Sequence, residues 1–258
     1  MGSVASWPQL RQLLANINSH HIPLRGRNCY FYRLPLTSKL ATLLMRLVSV
    51  NTALPQDITW QDKTVRTSIF KQPVAGPVQV MAEHLAGDGQ ADLRVHGGPD
   101  KAVYAYPREH WAYWQQLLPT SLLEPGAFGE NLTTMGLLEP EVRVGDCFQM
   151  GTAVLMAIQP RQPCFKLAIR LGRPSVVREF EQAGRSGIYF RVRQPGIITA
   201  GDTITLLEPS PYAVTIQDMV ACLAPGPHDP DKVRALLATP YLSASWRERL
   251  TRLLAARP

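Results

Sequence analysis

The 258-residue sequence has only four cysteines, Cys29, Cys147, Cys164 and Cys222, far apart and with no CxxC pair. That scarcity excludes a disulfide framework and leaves no ligand set for an iron–sulfur cluster. With no HExxH pattern either, it argues against a zinc centre. Free thiols in a reducing compartment, and so a cytoplasmic protein, are the expectation. No GxGxxG stretch is present, so the chain should not collect electrons from NAD(P)H by itself. Long apolar runs are also missing: the longest candidate, residues 34–54, contains Lys39 and Arg46, and a spanning helix needs roughly 18 unbroken apolar residues. No membrane partner is expected.

Acidic residues are absent from the first 44 positions, which hold Arg11, Arg25, Arg27, Arg33 and Lys39. The remainder carries 22 Lys and Arg against 20 Asp and Glu, so most of the formal charge of +7 belongs to this leader. Such a stretch fits an organelle transit peptide or a start codon placed too far upstream. The second fits better, because serine is sparse, no cleavage-like signal stands out, and Met45 opens a plausible first strand through Asn51. A nearly neutral body without an RNP-type or helix-turn-helix signature makes a nucleic-acid partner the weaker reading.

Positive content begins at residue 45. Short β-branched and aromatic runs, separated by Gly and Pro turns, cover residues 65–70, 78–85, 102–106, 147–158, 187–192 and 202–207. This pattern predicts a mainly β (α+β) domain over 45–208, a barrel or sandwich flanked by helices at 108–118 and after Pro174. Trp111, Trp114 and Leu118 share one helical face, best read as core packing. Beyond Pro209-Ser210-Pro211, three helical patterns at 215–223, 229–238 and 243–255 form a small module over 209–258, with Asp229 and Ser243 where N-caps belong. About fifty residues bury too little to stand alone, so the module should dock on the β domain or on a second copy of the chain as a homodimer.

Three segments combine backbone freedom with reactive side chains: His96-Gly97-Gly98-Pro99-Asp100-Lys101, Gly126-Ala127-Phe128-Gly129-Glu130-Asn131-Leu132 and Pro160-Arg161-Gln162-Pro163-Cys164-Phe165-Lys166. Adjacent glycines let a backbone approach an anionic ligand. Cys164 lies between Arg161 and Lys166 in a Pro-restricted loop, and a thiolate is both a nucleophile and a soft metal ligand. Each motif alone is a weak signal, because most glycine pairs are turns and most lone cysteines are small buried hydrophobes.

Taken together with Leu85-Ala86-Gly87-Asp88-Gly89-Gln90-Ala91-Asp92, and in this order, these segments resemble the MOSC-domain family of the YiiM type, over residues 45 to about 255. The resemblance implies a MOSC β-barrel followed by a three-helix module, and it implies molybdenum cofactor, a molybdenum held by the dithiolene of a phosphorylated pyranopterin. Cys164 then matches the family's catalytic thiolate ligand to the metal. His96, Gly97, Gly98, Lys101, Gly129, Asn131, Arg161 and Lys166 become candidate cofactor-binding residues, the cations for the phosphate and His96 and Asn131 as hydrogen-bond partners. The implied activity is reduction of small N-hydroxylated bases and related N-oxygenated compounds, with electrons from a separate redox partner. Sulfur carriage as a Cys164 persulfide is the competing reading. Pyridoxal phosphate is linked to the wider family only through a desulfurase domain that this sequence lacks, and is not expected to bind.

Overall fold

The computed structural model describes residues 45–92, 97–119, 122–224, 226 and 228–255. His96 and Cys29 lie outside the described residues, as does the whole of 1–44. Twelve strands form among those described: β1 Arg46–Thr52, β2 Gln56–Trp60, β3 Lys63–Thr67, β4 Gln72–Pro73, β5 Val78–Val80, β6 Val103–Pro107, β7 Leu132–Met135, β8 Cys147–Met150, β9 Ala153–Pro160, β10 Ile188–Gln194, β11 Gly196–Ile198 and β12 Ile204–Glu208. The helices are α1 Trp111–Trp114, α2 Phe165–Leu171, α3 Val176–Ala183, α4 Ile216–Ala221, α5 Pro230–Ala238 and α6 Ala244–Ala255.

Eight strands make one sheet in the order β12-β8-β9-β10-β6-β7-β1-β4, with β2–β3 and β5–β11 as separate ribbons. Every pairing is antiparallel except β6–β7. The strand following the parallel pair's first member must return by a crossover, and residues 108–131 supply it, bringing the GAFGEN turn to the head of β7. β9 and β6 are almost wholly buried, which is why they read as continuous apolar runs rather than alternating ones.

The expected closed barrel is corrected to an open, strongly curled sheet. The start of β1 meets residues 201–204 through Leu47 N–H to Asp202 O at 2.9 Å, Gly201 N–H to Leu47 O at 2.7 Å and Ile204 N–H to Met45 O at 2.9 Å. This is a single bridge, Arg46 to Thr203, not a ladder. The run 147–158, read as one strand, is a hairpin: Gly151 at φ +54° turns the chain, and Met150 pairs with Ala153. Glycine tolerates that left-handed conformation, whereas the surrounding apolar residues continue the strand pattern on both sides. The expected helix at 108–118 is a 3-10 turn at 108–110 followed by α1 and further turns.

Two large cores, and a small cluster of Cys147, Met156 and Ile158, hold the fold among the described residues. An aromatic one beneath the cleft described below contains Tyr104, Tyr106, Trp114, Phe128 and Phe180, with Tyr106 stacked on Phe128 at 4.4 Å and Trp114 Nε1–H donating to Tyr106 Oη at 2.6 Å. Core packing is thus the role of Trp114, as its spacing suggested. The other core runs from the sheet into the C-terminal helices, joining Phe148, Leu155 and Phe190 to Ile216, Met219, Trp246 and Leu250. The module docks on the sheet through this shared interior, and Ser210 is pinned by Asp146 and by the Val144 carbonyl rather than forming a loose linker.

Candidate active site

One cleft gathers Lys101, Gly129, Asn131, Arg161, Cys164 and Lys166, six of the residues singled out in the sequence. They arrive on three segments of the chain, around residues 98–101, 126–131 and 160–166. β9 ends at Pro160, and the short segment after it carries Arg161 inward and leaves Cys164 partly exposed at the residue preceding α2. Lys166 follows on the first turn of that helix. Lys101 ends a 3-10 turn opened by Gly98 at φ +88°, and Asp100 in this turn is fastened to Arg191 on β10.

Gly97 and Gly98 do not reach the cleft wall. A side-chain carbon on Gly98 would meet nothing within 4 Å, so its backbone conformation, not close approach, is what calls for glycine there. Gly129 is different: at φ +72° it lies against Ile69, and an added Cβ would sit 2.8 Å from Ile69 Cγ1.

Arg161 is the electrostatic centre. It is 7% exposed, donates to the Phe128 carbonyl, and stacks 4.8 Å from the Tyr104 ring and 5.9 Å from that of Phe180. Burial works against its charge, but Tyr104, Tyr189 and Cys164 facing it raise its pKa above the usual guanidinium range. Burial pushes the Tyr104 and Tyr189 phenols up, with Arg161 opposing, so both stay protonated. Tyr104 Oη donates to Ser186 O at 2.8 Å, which leaves its ring as the Arg161 platform.

Asn131 is fully engaged within the protein. Its Oδ1 accepts from Tyr104 N–H at 3.1 Å, and its Nδ2 donates to Asp88 Oδ2 at 2.8 Å and to Asn51 O at 3.4 Å. The side chain therefore fastens β1, β6 and the 85–91 turn together while lining the cleft. Its neighbour Glu130 ties the preceding turn, accepting from Gly126 N–H at 2.8 Å, Phe128 N–H at 3.0 Å and Thr133 Oγ1 at 2.8 Å.

Sequence reasoning missed Lys71, Asp88, Tyr104 and Tyr189 as cleft residues. Lys71 and Asp88 form a buried pair, with Asp88 also accepting from Ala53 N–H at 2.9 Å. Desolvation lowers the Lys71 pKa, with Asp88 and Glu130 opposing; burial likewise lowers that of Lys101. Asp88 was legible only as an acid between two glycines, Gly87 and Gly89, a turn signature with no chemistry of its own.

The space enclosed is narrow, about 90 Å³, room for several water-sized groups. It joins one accessible thiol to a fixed guanidinium and three ammonium groups, an arrangement suited to a soft metal edge or a small polar head beside an anion. Among the described residues no cluster of three His, Cys, Asp or Glu is placed to hold a metal ion by itself. A metal here would arrive within a larger anionic group.

Known proteins share this architecture. The MOSC domain model matches residues 92–205 and the YiiM-like 3-alpha helix domain matches 214–257. Protein YiiM of Escherichia coli is 37% identical over 182 residues, 70% of this chain and 81% of that one. A protein named reductase from Gibberella moniliformis is 38% identical over 151 residues, 57% of this chain but 27% of that longer protein. The crystal structure of YiiM from Geobacillus stearothermophilus aligns with a TM-score of 0.67 at 37% identity, covering 81% of this chain and 99% of the other. No described helix is long and apolar enough to cross a membrane. With both family models in order and the two YiiM proteins matched along most of their length, the chain belongs to the MOSC-domain family, in its YiiM-like branch.

Proposed function

We propose that the protein is a molybdenum-cofactor-dependent reductase of small N-hydroxylated compounds, working in the cytoplasm with a separate electron donor. The observation that carries this reading is Cys164, a partly exposed thiol sharing a cleft with Arg161, Lys101 and Lys166. The donor set fits the group: a thiolate suits a high-valent molybdenum, and the cations suit a pterin phosphate. When bound, the cofactor would supply two-electron chemistry. Cys164 would hold its metal, and Lys101 and Lys166 its phosphate. The name of the fungal relative supports an oxidoreductase in general.

Conversion of N–OH to amine and water consumes two electrons and two protons. Arg161, held by Tyr104 and the Phe128 carbonyl, would keep an anionic group oriented without reorganising. Lys71 and Lys101, whose burial eases proton release, would lend protons within the cleft they share with Cys164. Tyr104 and Tyr189 would shield the inner wall from water.

The test is metal and pterin analysis of protein made in a host that synthesises the cofactor, beside Cys164→Ala, with both assayed for N-hydroxylamine reduction. Molybdenum and activity in the first and their loss in the variant are expected. Undiminished reduction by Cys164→Ala would overturn the assignment. A stable persulfide on Cys164 without retained molybdenum would assign sulfur transfer instead.

A further inference from the structure

A second cavity, of about 590 Å³, adjoins the segment that bears Cys164. Arg161, Gln162 and Pro163 form one wall, and Arg161 lines both cavities. The opposite walls come from α3, through Arg178 and Phe180, and from the C-terminal module, through Val220, Leu223 and Arg249. The cavity is therefore composite: without α4 and α6 it would be an open face of the sheet domain.

Its chemistry is one-sided. Three arginines line it against a single acid, Glu181, and neither Arg178 nor Arg249 makes an ion pair among the described residues. Arg249 Nε is buried with no hydrogen-bond partner, an arrangement that costs free energy unless something supplies an acceptor. The guanidinium is close enough to Cys222 to act on that thiol, opposing the upward push of burial and of Asp218. Phe180, Val220 and Leu223 provide an apolar floor to the same cavity. A cavity of this size, mostly apolar with a few convergent charges, has the make-up of a small-molecule site.

We propose that this cavity binds a small organic anion, a phosphate or carboxylate on an apolar body, and that the three-helix module serves to complete the site. The acidic head would pair with Arg178 and Arg249 and the body would lie on the floor. Because Arg161 lines both cavities and Gln162 and Pro163 line this one, an occupant would press on the segment positioning Cys164, so binding should change how that thiol presents itself. This inference stands apart from the molybdenum reading, since it concerns other side chains.

The full chain, free of cofactor, is titrated calorimetrically with phenyl phosphate, benzoate and inorganic phosphate. Binding of phenyl phosphate or benzoate is expected, at least tenfold tighter than inorganic phosphate, and at least tenfold weakened in Arg178→Ala and in Arg249→Ala but not in Cys164→Ala. Arg178 is exposed, so that variant should fold even where Arg249→Ala does not. In a Cys29→Ser background, the bound anion should also change the rate of Cys164 alkylation by iodoacetamide severalfold. No binding by either organic anion, or binding indifferent to Arg178→Ala, would overturn the site; equal affinity for inorganic phosphate would remove the apolar floor from it. An unchanged alkylation rate on saturation would overturn the coupling to Cys164.

Discussion

Lys71 keeps its ammonium inside the protein against one carboxylate, with side-chain exposures of 9% and 3% for the pair. Removing one member of such a pair strands the other, so Lys71→Met should cost about 3 kcal/mol, read by urea unfolding near neutral pH. The pH dependence has a definite sign. Burial depresses the folded-state pKa below the ordinary 10.5, so between those two values the folded chain holds fewer protons than the unfolded one. The stability contributed by this group therefore rises with pH across that window and is complete above it. The advantage of wild type over Lys71→Met should accordingly widen as pH climbs toward 10.5; a gap that narrows would show that the ammonium is stabilised by its surroundings. Cys164, Arg161 and Lys166 could be read from sequence because they are neighbours in a Pro-restricted segment. Lys71 and Asp88 could not, because they are 17 residues apart and only the fold joins them. Asn131 was visible in its motif, but its three internal partners lie on other elements.

At the scale of elements, local signals worked where the chain punctuates itself. Asp229 caps α5 as its position suggested, accepting from Asp231 N–H at 2.9 Å. Ser243 sits just ahead of α6, but its hydroxyl donates to Gln159 Oε1 at 3.0 Å and so ties the helix to β9. The hairpin of β8 and β9 escaped detection because apolar residues run on either side of Gly151 and no Pro or Asn marks the turn. The strongest cap lies at α4, where Thr215 Oγ1 accepts from Asp218 N–H at 3.1 Å and Asp218 Oδ2 accepts from Thr215 N–H at 2.8 Å. Thr215→Ala should destabilise the protein by about 1 kcal/mol in denaturant titrations. A loss below a few tenths would mean that burial of Ile216 and Met219 holds the helix without its cap. Gly129→Ala is a sharper perturbation, since both φ and Ile69 oppose a side chain. It should lower Tm by several degrees, by differential scanning calorimetry.

At the scale of the molecule, the question is whether sheet and module are two folding units or one. Sequence composition showed the boundary, a Pro-Ser-Pro junction followed by helical patterns, but carried no information on which faces meet. In the structure the boundary is crossed by backbone as well as side chains: Ile216 N–H donates to Val142 O at 2.9 Å, Gln217 N–H to Glu139 O at 3.1 Å and Val144 N–H to Val214 O at 3.0 Å. Trp246 and Leu250 on α6 are 2% and 0% exposed within the same apolar cluster as Leu155 and Phe190. Trp246→Ala removes a large side chain from that shared interior and should cost about 3–5 kcal/mol. If the cluster is one cooperative unit, the lost stability must appear on both sides of the junction, because neither side retains a closed core without the other. Hydrogen exchange followed by mass spectrometry distinguishes the cases: amides of β9 and β10 should exchange faster in Trp246→Ala, in step with those of α6. Acceleration confined to residues 214–255 would make the module an independently folding appendage resting on the sheet. The second cavity would then be a joint between two bodies that can part, rather than a pocket held at fixed width.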